Sequence, residues 1–203
     1  MGCIKVMSEA KIPQRIIMTD DPLRARVLIS HNLEYSVPLI EQGDFFVFSG
    51  SYNGTPLAVV STDFGIDKIP DSLLMLKEQG AMQVVYVSTC TSTTGRYDIQ
   101  SMILGAGGSD KLIKRALGAA KRCGDTAHIA AILRTDDIHP EEGCIIDDAT
   151  AILYTQASKY GFEALSFLTV SENKTTGAKM EENERRNRLY PASQLVFEMW
   201  AQQ

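Results

Sequence analysis

The fold is decided at residues 15–29, which read Arg15-Ile16-Ile17-Met18-Thr19-Asp20-Asp21-Pro22-Leu23-Arg24-Ala25-Arg26-Val27-Leu28-Ile29. The apolar run Ile16 to Met18 predicts a short buried β-strand. Pro22 stands where the first residue of a helix would, and Asp21 precedes it as the N-cap. The segment therefore predicts a strand that ends at the N-terminus of a helix, which is the first unit of an α/β fold.

The corner between this strand and helix is suited to anion binding. Free backbone N–H groups and the positive end of the helix dipole point into it. Arg24, in the first turn, can clamp a phosphate through two parallel hydrogen bonds. The alternative is an ordinary strand–helix unit with a solvated arginine. Leu23, Val27 and Leu33 predict the buried face of the helix.

Composition is typical of one globular domain spanning residues 1–203, with 44% hydrophobic and 22% charged residues. The net charge of −5 and the lack of a basic block argue against a nucleic-acid partner. No apolar run approaches the ~20 residues of a membrane span, and no signal peptide is evident, so we expect a cytoplasmic protein with no membrane partner. Four scattered cysteines predict reduced, mostly buried thiols: Cys3, Cys90, Cys123 and Cys144.

Strands and helices alternate along the rest of the chain. A hairpin turns at Asn53-Gly54, a central strand runs from Val84 to Thr89, and a helix begins at Asp147 or Asp148. This alternation predicts a three-layer α/β/α sandwich with a mixed, largely parallel central sheet. Ligands gather at the carboxyl ends of such strands, so we expect a pocket there. No dinucleotide or P-loop motif occurs, and no cofactor is predicted.

Four pieces, in this order, resemble a known family. They are the Asp21-Pro22-Leu23-Arg24 corner, the hairpin at 48–54, the strand from Gly161 that ends at Glu172, and the charged Glu184-Arg185 segment. The chain resembles the purine nucleoside phosphorylase and uridine phosphorylase family, most closely the bacterial hexameric purine enzymes. The resemblance covers most of the chain and is best at 15–66 and 143–186. It implies a nucleoside phosphorylase-like fold, a purine nucleoside as substrate, phosphate as co-substrate and a homo-oligomer.

The resemblance also implies the catalytic residues. In the family an acid protonates the departing base, and a nearby arginine orients that acid; these roles fall on Glu172 and Arg185. The family normally has aspartate where this chain has Glu172. The alternatives are a solvated loop charge for Glu172 and an exposed helix charge for Arg185.

The implied phosphate-binding residues are Arg24, Asp20 and Thr89. Asp20 replaces a glycine of the family and puts a carboxylate where the anion should bind. Gly43 and Tyr86 stand where the family has two further phosphate-binding arginines. Losing two of three arginines removes most of the charge-assisted hydrogen bonds that a phosphate dianion needs.

The implied nucleoside contacts come from strand ends and loops. Phe64 would pack on the sugar, and Asp148 would bind sugar hydroxyls from the family's acidic segment. The alternative for Asp147 and Asp148 is the N-cap and first turn of a helix. No metal site is predicted, because the acidic stretch 136–142 lacks a spacing that would enforce coordination. The full implied set is Phe64, Cys90, Thr91, Ile146, Asp147 and Asp148.

Three functions stay open on sequence alone. The chain cleaves the N-glycosidic bond of a nucleoside by phosphorolysis, or hydrolyses it with Asp20 as the base that activates water, or binds a nucleoside without catalysis. The segment between the central strand and residue 143 is shorter than in the hexameric enzymes, which favours an altered pocket wall.

Overall fold

The computed structural model describes residues 11–62, 65–137, 143–182, 184 and 190–201. The strands are β1 (Arg15–Thr19), β2 (Glu34–Gln42), β3 (Phe45–Tyr52), β4 (Thr55–Thr62), β5 (Gln83–Ser92), β6 (Met102–Gly105), β7 (Ala127–Ala130), β8 (Ile132–Leu133), β9 (Ile145–Ile146), β10 (Glu163–Asn173) and β11 (Ala178–Lys179). The helices are α1 (Pro22–Asn32), α2 (Ile69–Glu78), α3 (Asp110–Cys123), α4 (Asp148–Tyr160) and α5 (Tyr190–Glu198), and short 3-10 turns span Ile66–Lys68 and Thr135–Asp137.

A mixed sheet forms the middle layer. Its order is β2-β3-β4-β1-β5-β10-β6-β7, with β11 beside β10 and the short β8 and β9 beyond the end of β5. Strands β4, β1, β5 and β10 are parallel to their neighbours in this core. Strands β2 and β3 extend one side as an antiparallel meander, and β6 is antiparallel to β10. The parallel core puts the ends of β1, β5 and β10 at one edge of the sheet.

Helices cover both faces of the sheet. Alternate residues of β1 point in opposite directions: Ile16 packs with α2 and α4, while Ile17 packs with α1, α3 and α5. Each face carries a continuous apolar core built from one set of strand residues and the inner stripes of its helices. The predicted three-layer α/β/α sandwich is confirmed.

The first strand–helix corner forms as its residues predict. Asp21 accepts hydrogen bonds from the backbone N–H groups of Leu23 (2.9 Å) and Arg24 (3.2 Å), and Pro22 begins α1. The predicted buried face of α1 is wrong at Leu23, whose exposed fraction is 44%. A helix that begins at Pro22 turns residues 25, 28 and 29 toward the sheet, because positions three and four apart share a face.

Several boundaries differ from the predictions. Strand β2 was not predicted; it contains Pro38, lies at the edge of the sheet and pairs irregularly with β3, all of which weaken the alternating pattern. The apolar run from Ile99 forms a strand only from Met102. The apolar run over 127–133 forms two short strands, β7 and β8, because these pair with different partners, β6 and β9.

The C-terminal segment carries an apolar stripe that packs on the sandwich. Pro191 lies in the first turn of α5, where a proline is tolerated. The four stripe residues are all buried against the α1/α3 face: Leu195, Val196, Met199 and Trp200. Among the described cysteines only Cys90 is buried, and Cys123 is exposed. Within the described ranges, no helix is long and apolar enough to cross a membrane.

Candidate functional site

A cleft of about 290 Å³ opens at the carboxyl ends of β5 and β10. We call it the carboxyl-edge cleft. Seven of the residues that the resemblance implied line it together, along with three that were not predicted: Thr135, Ser171 and Lys179. The seven are Thr89, Cys90, Thr91, Ile146, Asp147, Asp148 and Glu172.

A β-bulge presents Glu172 to this cleft. The pairing of β10 with β5 shifts register between Val170 and Glu172, which inserts Ser171 as an extra residue. Ser171 Oγ donates to the backbone carbonyl of Cys90 at 3.3 Å, so the bulge is tied to the neighbouring strand. Ser171 and Glu172 both line the cleft at the end of β10.

Lys179 supplies the positive charge opposite Glu172. Its Nζ lies 3.9 Å from Glu172 Oε2, since β11 returns antiparallel beside the end of β10 with these two residues paired. The turn between them is set by Asn173, whose Oδ1 accepts from the backbone N–H groups of Thr175 and Thr176, and by Gly177 at φ +73°. Asn173 and Gly177 are the sequence signal that could have predicted this hairpin.

Asp147 caps α4 from inside the cleft wall. Its Oδ2 accepts from the backbone N–H of Thr150 at 2.8 Å and from Thr150 Oγ1 at 2.6 Å. Burial raises the pKa of Asp147, the hydrogen bonds from Thr150 oppose that change, and the charges of Asp20 and Asp148 add to the increase. The predicted N-cap is confirmed, and a contact with sugar stays a prediction.

Asp148 joins the start of α4 to the turn at Thr135. Its two carboxylate oxygens accept from the backbone N–H of Thr135 (2.7 Å) and from Thr135 Oγ1 (2.9 Å). A carboxylate has about four lone-pair positions, so Asp148 retains acceptor capacity toward the cleft. Binding sugar hydroxyls there would use those remaining positions.

The floor of the cleft is formed by the end of β5. Thr91 pairs with Ile146 of β9, which closes one side.

Burial raises the pKa of the Cys90 thiol far above its ordinary value, and the charge of Asp147 adds to the increase. A thiol held neutral in this way is a poor nucleophile, so covalent chemistry through Cys90 is disfavoured.

The predicted anion site at the end of β1 is filled by the chain's own side chains. Arg24 Nη1 donates to Thr19 Oγ1 at 3.0 Å and to Asp20 Oδ1 at 3.2 Å, and Ser88 Oγ donates to the same Asp20 oxygen at 3.2 Å. Arg24 is only 8% exposed. We call this group the Arg24 corner; neither Arg24 nor Asp20 is among the described residues that line the carboxyl-edge cleft.

Two of the predicted site residues, Phe64 and Arg185, lie outside the described residues. In the part of the chain that the structure describes, no group of three or more histidine, cysteine or acidic side chains is placed to hold a metal ion. The described lining of the carboxyl-edge cleft consists of carboxylates, hydroxyls, one thiol, one lysine and one apolar side chain.

A parallel-core α/β sandwich with a polar cleft at its carboxyl edge is the arrangement of many enzymes and binding proteins for small molecules. Over 94% of its length the chain is 26% identical to a protein named purine nucleoside phosphorylase DeoD-type from Alkaliphilus metalliredigens, of which it covers 96%. A protein of the same name from Caldanaerobacter subterraneus is 25% identical, with 94% of this chain and 96% of the relative covered. The one from Psychromonas ingrahamii is 24% identical over 86% of this chain and 87% of its own length. No protein-family model matches the chain.

The matched span with the first of these relatives is 223 residues, which is longer than the 203 residues of this chain. The relative therefore has segments that this chain lacks. This agrees with the shortening expected from the sequence.

Proposed function

We propose that the chain is a distant, shortened member of the purine nucleoside phosphorylase family, and that the carboxyl-edge cleft binds a nucleoside and cleaves its N-glycosidic bond. The observation that carries the proposal is the cleft itself, where seven residues implied by the resemblance meet although they come from β5, β9, α4 and β10. The similarity to proteins named purine nucleoside phosphorylase, over 94% of the chain, supports the same assignment.

In the proposed reaction, Glu172 acts as a general acid. An oxygen of phosphate forms a bond to the anomeric carbon while the bond from that carbon to the base nitrogen breaks. The electron pair goes to the base, and a proton from Glu172 neutralises it, which lowers the barrier. Arg185 orients Glu172 in this scheme, and Lys179, 3.9 Å from its carboxylate, is a second positioning cation.

A second candidate is hydrolysis, with water in place of phosphate. The arrangement of the Arg24 corner favours it, because Asp20 already neutralises the guanidinium that phosphate would need. An incoming phosphate dianion would have to displace or repel that carboxylate. Asp20 is the base that the sequence suggested for activating water, and to act it would have to reach the cleft from the Arg24 corner, where Arg24 and Ser88 now donate to it.

The test is to incubate the full chain with inosine, adenosine, guanosine and uridine, each with and without phosphate, and to measure free base by chromatography. Base release that requires phosphate supports phosphorolysis, and release of equal rate without phosphate supports hydrolysis. Nucleoside binding without release contradicts both reactions and leaves the binding role. No release and no binding contradicts the whole proposal.

A further inference from the structure

A second concavity lies at the opposite edge of the sheet. It has a volume of about 430 Å³ and is formed where β1 and β4 begin, at Arg15 and Thr55, beside one face of α3 and the end of α5. We call it the amino-edge cleft. It shares no described lining residue with the carboxyl-edge cleft, so its ligand need not be the nucleoside.

The amino-edge cleft is strongly basic. Lys114, Arg115 and Arg122 of α3 line it together with Arg15. Lys114, Gly118 and Arg122 are spaced by four residues and share one helix face, and the missing side chain of Gly118 leaves room between the two cations. No acidic residue is among its described lining residues. Four cations in one concavity are unexpected in a chain of net charge −5.

Structural contacts hold the guanidinium groups in place, and the charge of Glu163 acts on Arg115 from outside the cleft lining. Those of Arg15 and Arg115 stack over the Trp200 ring, 5.9 Å and 5.4 Å from its centre. Arg122 Nη2 donates to the backbone carbonyl of Glu198 at 2.8 Å. An aromatic ring and a carbonyl carry no net charge, so these contacts orient the cations and leave their charge for a ligand.

The nearby carboxylates are engaged with other groups. Glu198 accepts a hydrogen bond from the Tyr52 hydroxyl. Glu163 accepts from the Gln83 side chain and from Lys111 Nζ. Neither carboxylate lines the cleft, so no acidic side chain of the described residues stands among the four cations.

Two lining residues carry buried polar groups that lack a partner. The Trp200 indole N–H and the Thr55 hydroxyl have no hydrogen-bond partner among the described residues, and the two residues are 3% and 1% exposed. Buried polar groups of folded proteins nearly always have a partner. Both atoms are enclosed by protein, and six other described side chains carry an unpartnered buried atom elsewhere, so these two groups do not by themselves indicate a ligand.

We propose that the amino-edge cleft binds a small anion that carries two or more phosphate groups, such as pyrophosphate or the diphosphate of a nucleotide. Guanidinium groups match phosphate oxygens in pairs, which selects phosphate over a spherical anion. The volume is in the range of small-ligand sites and is too large for one chloride or one water. This second site does not depend on the function proposed for the carboxyl-edge cleft.

The chain has one tryptophan, so Trp200 fluorescence reports directly on this cleft. Titration with sodium pyrophosphate at constant ionic strength should give a saturable change in that fluorescence.

Lys114→Gln should weaken binding about tenfold, the effect of losing one charge-assisted hydrogen bond. Gly118→Glu, which puts a carboxylate between Lys114 and Arg122, should weaken binding by at least about tenfold for the same reason. Lys121→Gln, on the same helix but outside the lining, is the matched control and should bind as the parent does.

Gly118→Ala tests whether position 118 tolerates a side chain. A Cβ there would meet only Arg122 Nη1, at 3.6 Å, so this variant should fold and retain binding. Calorimetry with pyrophosphate and with ADP separates the inorganic from the nucleotide form of the ligand. The proposal is overturned if pyrophosphate and ADP give no saturable response, if Lys114→Gln and Lys121→Gln bind equally, or if only long polyanions such as an oligonucleotide bind.

Discussion

The Arg24 corner and the carboxyl-edge cleft lie at the same edge of the sheet, on either side of the end of β5. Their charged side chains differ in how far a ligand can reach them. In the corner, Arg24 is buried and its Nη1 hydrogen bonds to Asp20 and Thr19. In the cleft, Glu172 and Lys179 stand 3.9 Å apart and both border open space. Both regions contain an ion pair, so the difference lies in exposure: the Arg24 side chain is enclosed with its partners, whereas a ligand can reach Glu172 and Lys179.

The largest expected effect is on catalysis in the open cleft. Glu172→Gln keeps the size of the side chain but removes the proton-donating carboxyl group. If Glu172 is the general acid, the rate of base release should fall at least about 100-fold, since general acid catalysis contributes 10²–10⁴. Initial rates with the best nucleoside of the panel measure this.

Glu78→Gln, at an exposed position on α2, is the matched control and should retain the parent rate. Equal activity of the Glu172→Gln variant and the parent would remove Glu172 from the proposed mechanism. It would leave the nucleoside-binding role of the cleft intact.

In the Arg24 corner, removing a charged side chain should lower the free energy of unfolding. Arg24→Met removes the guanidinium from Asp20 and Thr19, and it should lower the free energy of unfolding by about 2 kcal/mol, the range for charged hydrogen bonds. Urea denaturation measures this change. Arg26→Met is the control: its exposed ion pair with Glu41, at 3.8 Å, and its contact with Phe46 should cost less than about 1 kcal/mol. Equal losses in the two variants would show that the corner is no more than a surface ion pair.

Removing the Asp20 carboxylate should make Arg24 available to a ligand, as Glu172 and Lys179 are in the carboxyl-edge cleft. Asp20→Gly frees Arg24 Nη1 from its carboxylate partner, so inorganic phosphate should bind about tenfold more tightly, which corresponds to roughly 1.4 kcal/mol. The tighter phosphate binding can be measured in two ways: by how much phosphate raises the melting temperature, and by how the rate of base release depends on the phosphate concentration. Asp44→Asn, an exposed acid, should change neither. If phosphate affinity does not change in Asp20→Gly, the carboxylate is not what excludes phosphate.

The smallest effect concerns Asp147, which is buried in the cleft wall. Because burial raises its pKa in the folded protein, the folded state binds the proton more tightly than the unfolded state does. The stability that Asp147 contributes is fully present below its unfolded pKa and is lost as pH rises through its raised folded pKa. Asp147→Asn keeps a capping oxygen for Thr150 and removes the buried charge, so it should melt slightly higher than the parent at pH 7.

That advantage should disappear in acid, where Asp147 is protonated in both states. Melting curves from pH 3 to pH 8 measure the crossover. Asp147→Ala, which loses the cap as well, should cost about 1 kcal/mol at pH 7. A parent that melts higher than Asp147→Asn at pH 7 would contradict the predicted effect of burial.

Local features of the chain were predictable because neighbouring residues determine them. Asp21-Pro22 begins α1 as expected, and Leu195 and Trp200 are buried as their helical spacing predicts. The edge strand β2 was missed because Pro38 and irregular pairing blur its pattern. Lys179 was missed as a cleft residue because its position depends on a hairpin and a bulge together.

By itself, then, the sequence determined the alternation of strands and helices in the core, the caps of α1 and α4 and the apolar pattern that builds a three-layer sandwich. Each depends on interactions within a few residues or on burial of a repeating pattern. Only the tertiary structure decided that Asp20 and Ser88 fill the Arg24 corner, that Glu172 meets Lys179, and that cations from β1 and α3 surround Trp200. Some of these pairings join residues far apart in the chain, such as Ser88 with Asp20 and Arg115 with Trp200. The local ones, Arg24 with Asp20 and Glu172 with Lys179, depend on how strands and helices place the side chains, and charge alone cannot say whether the partner will be another residue or a ligand.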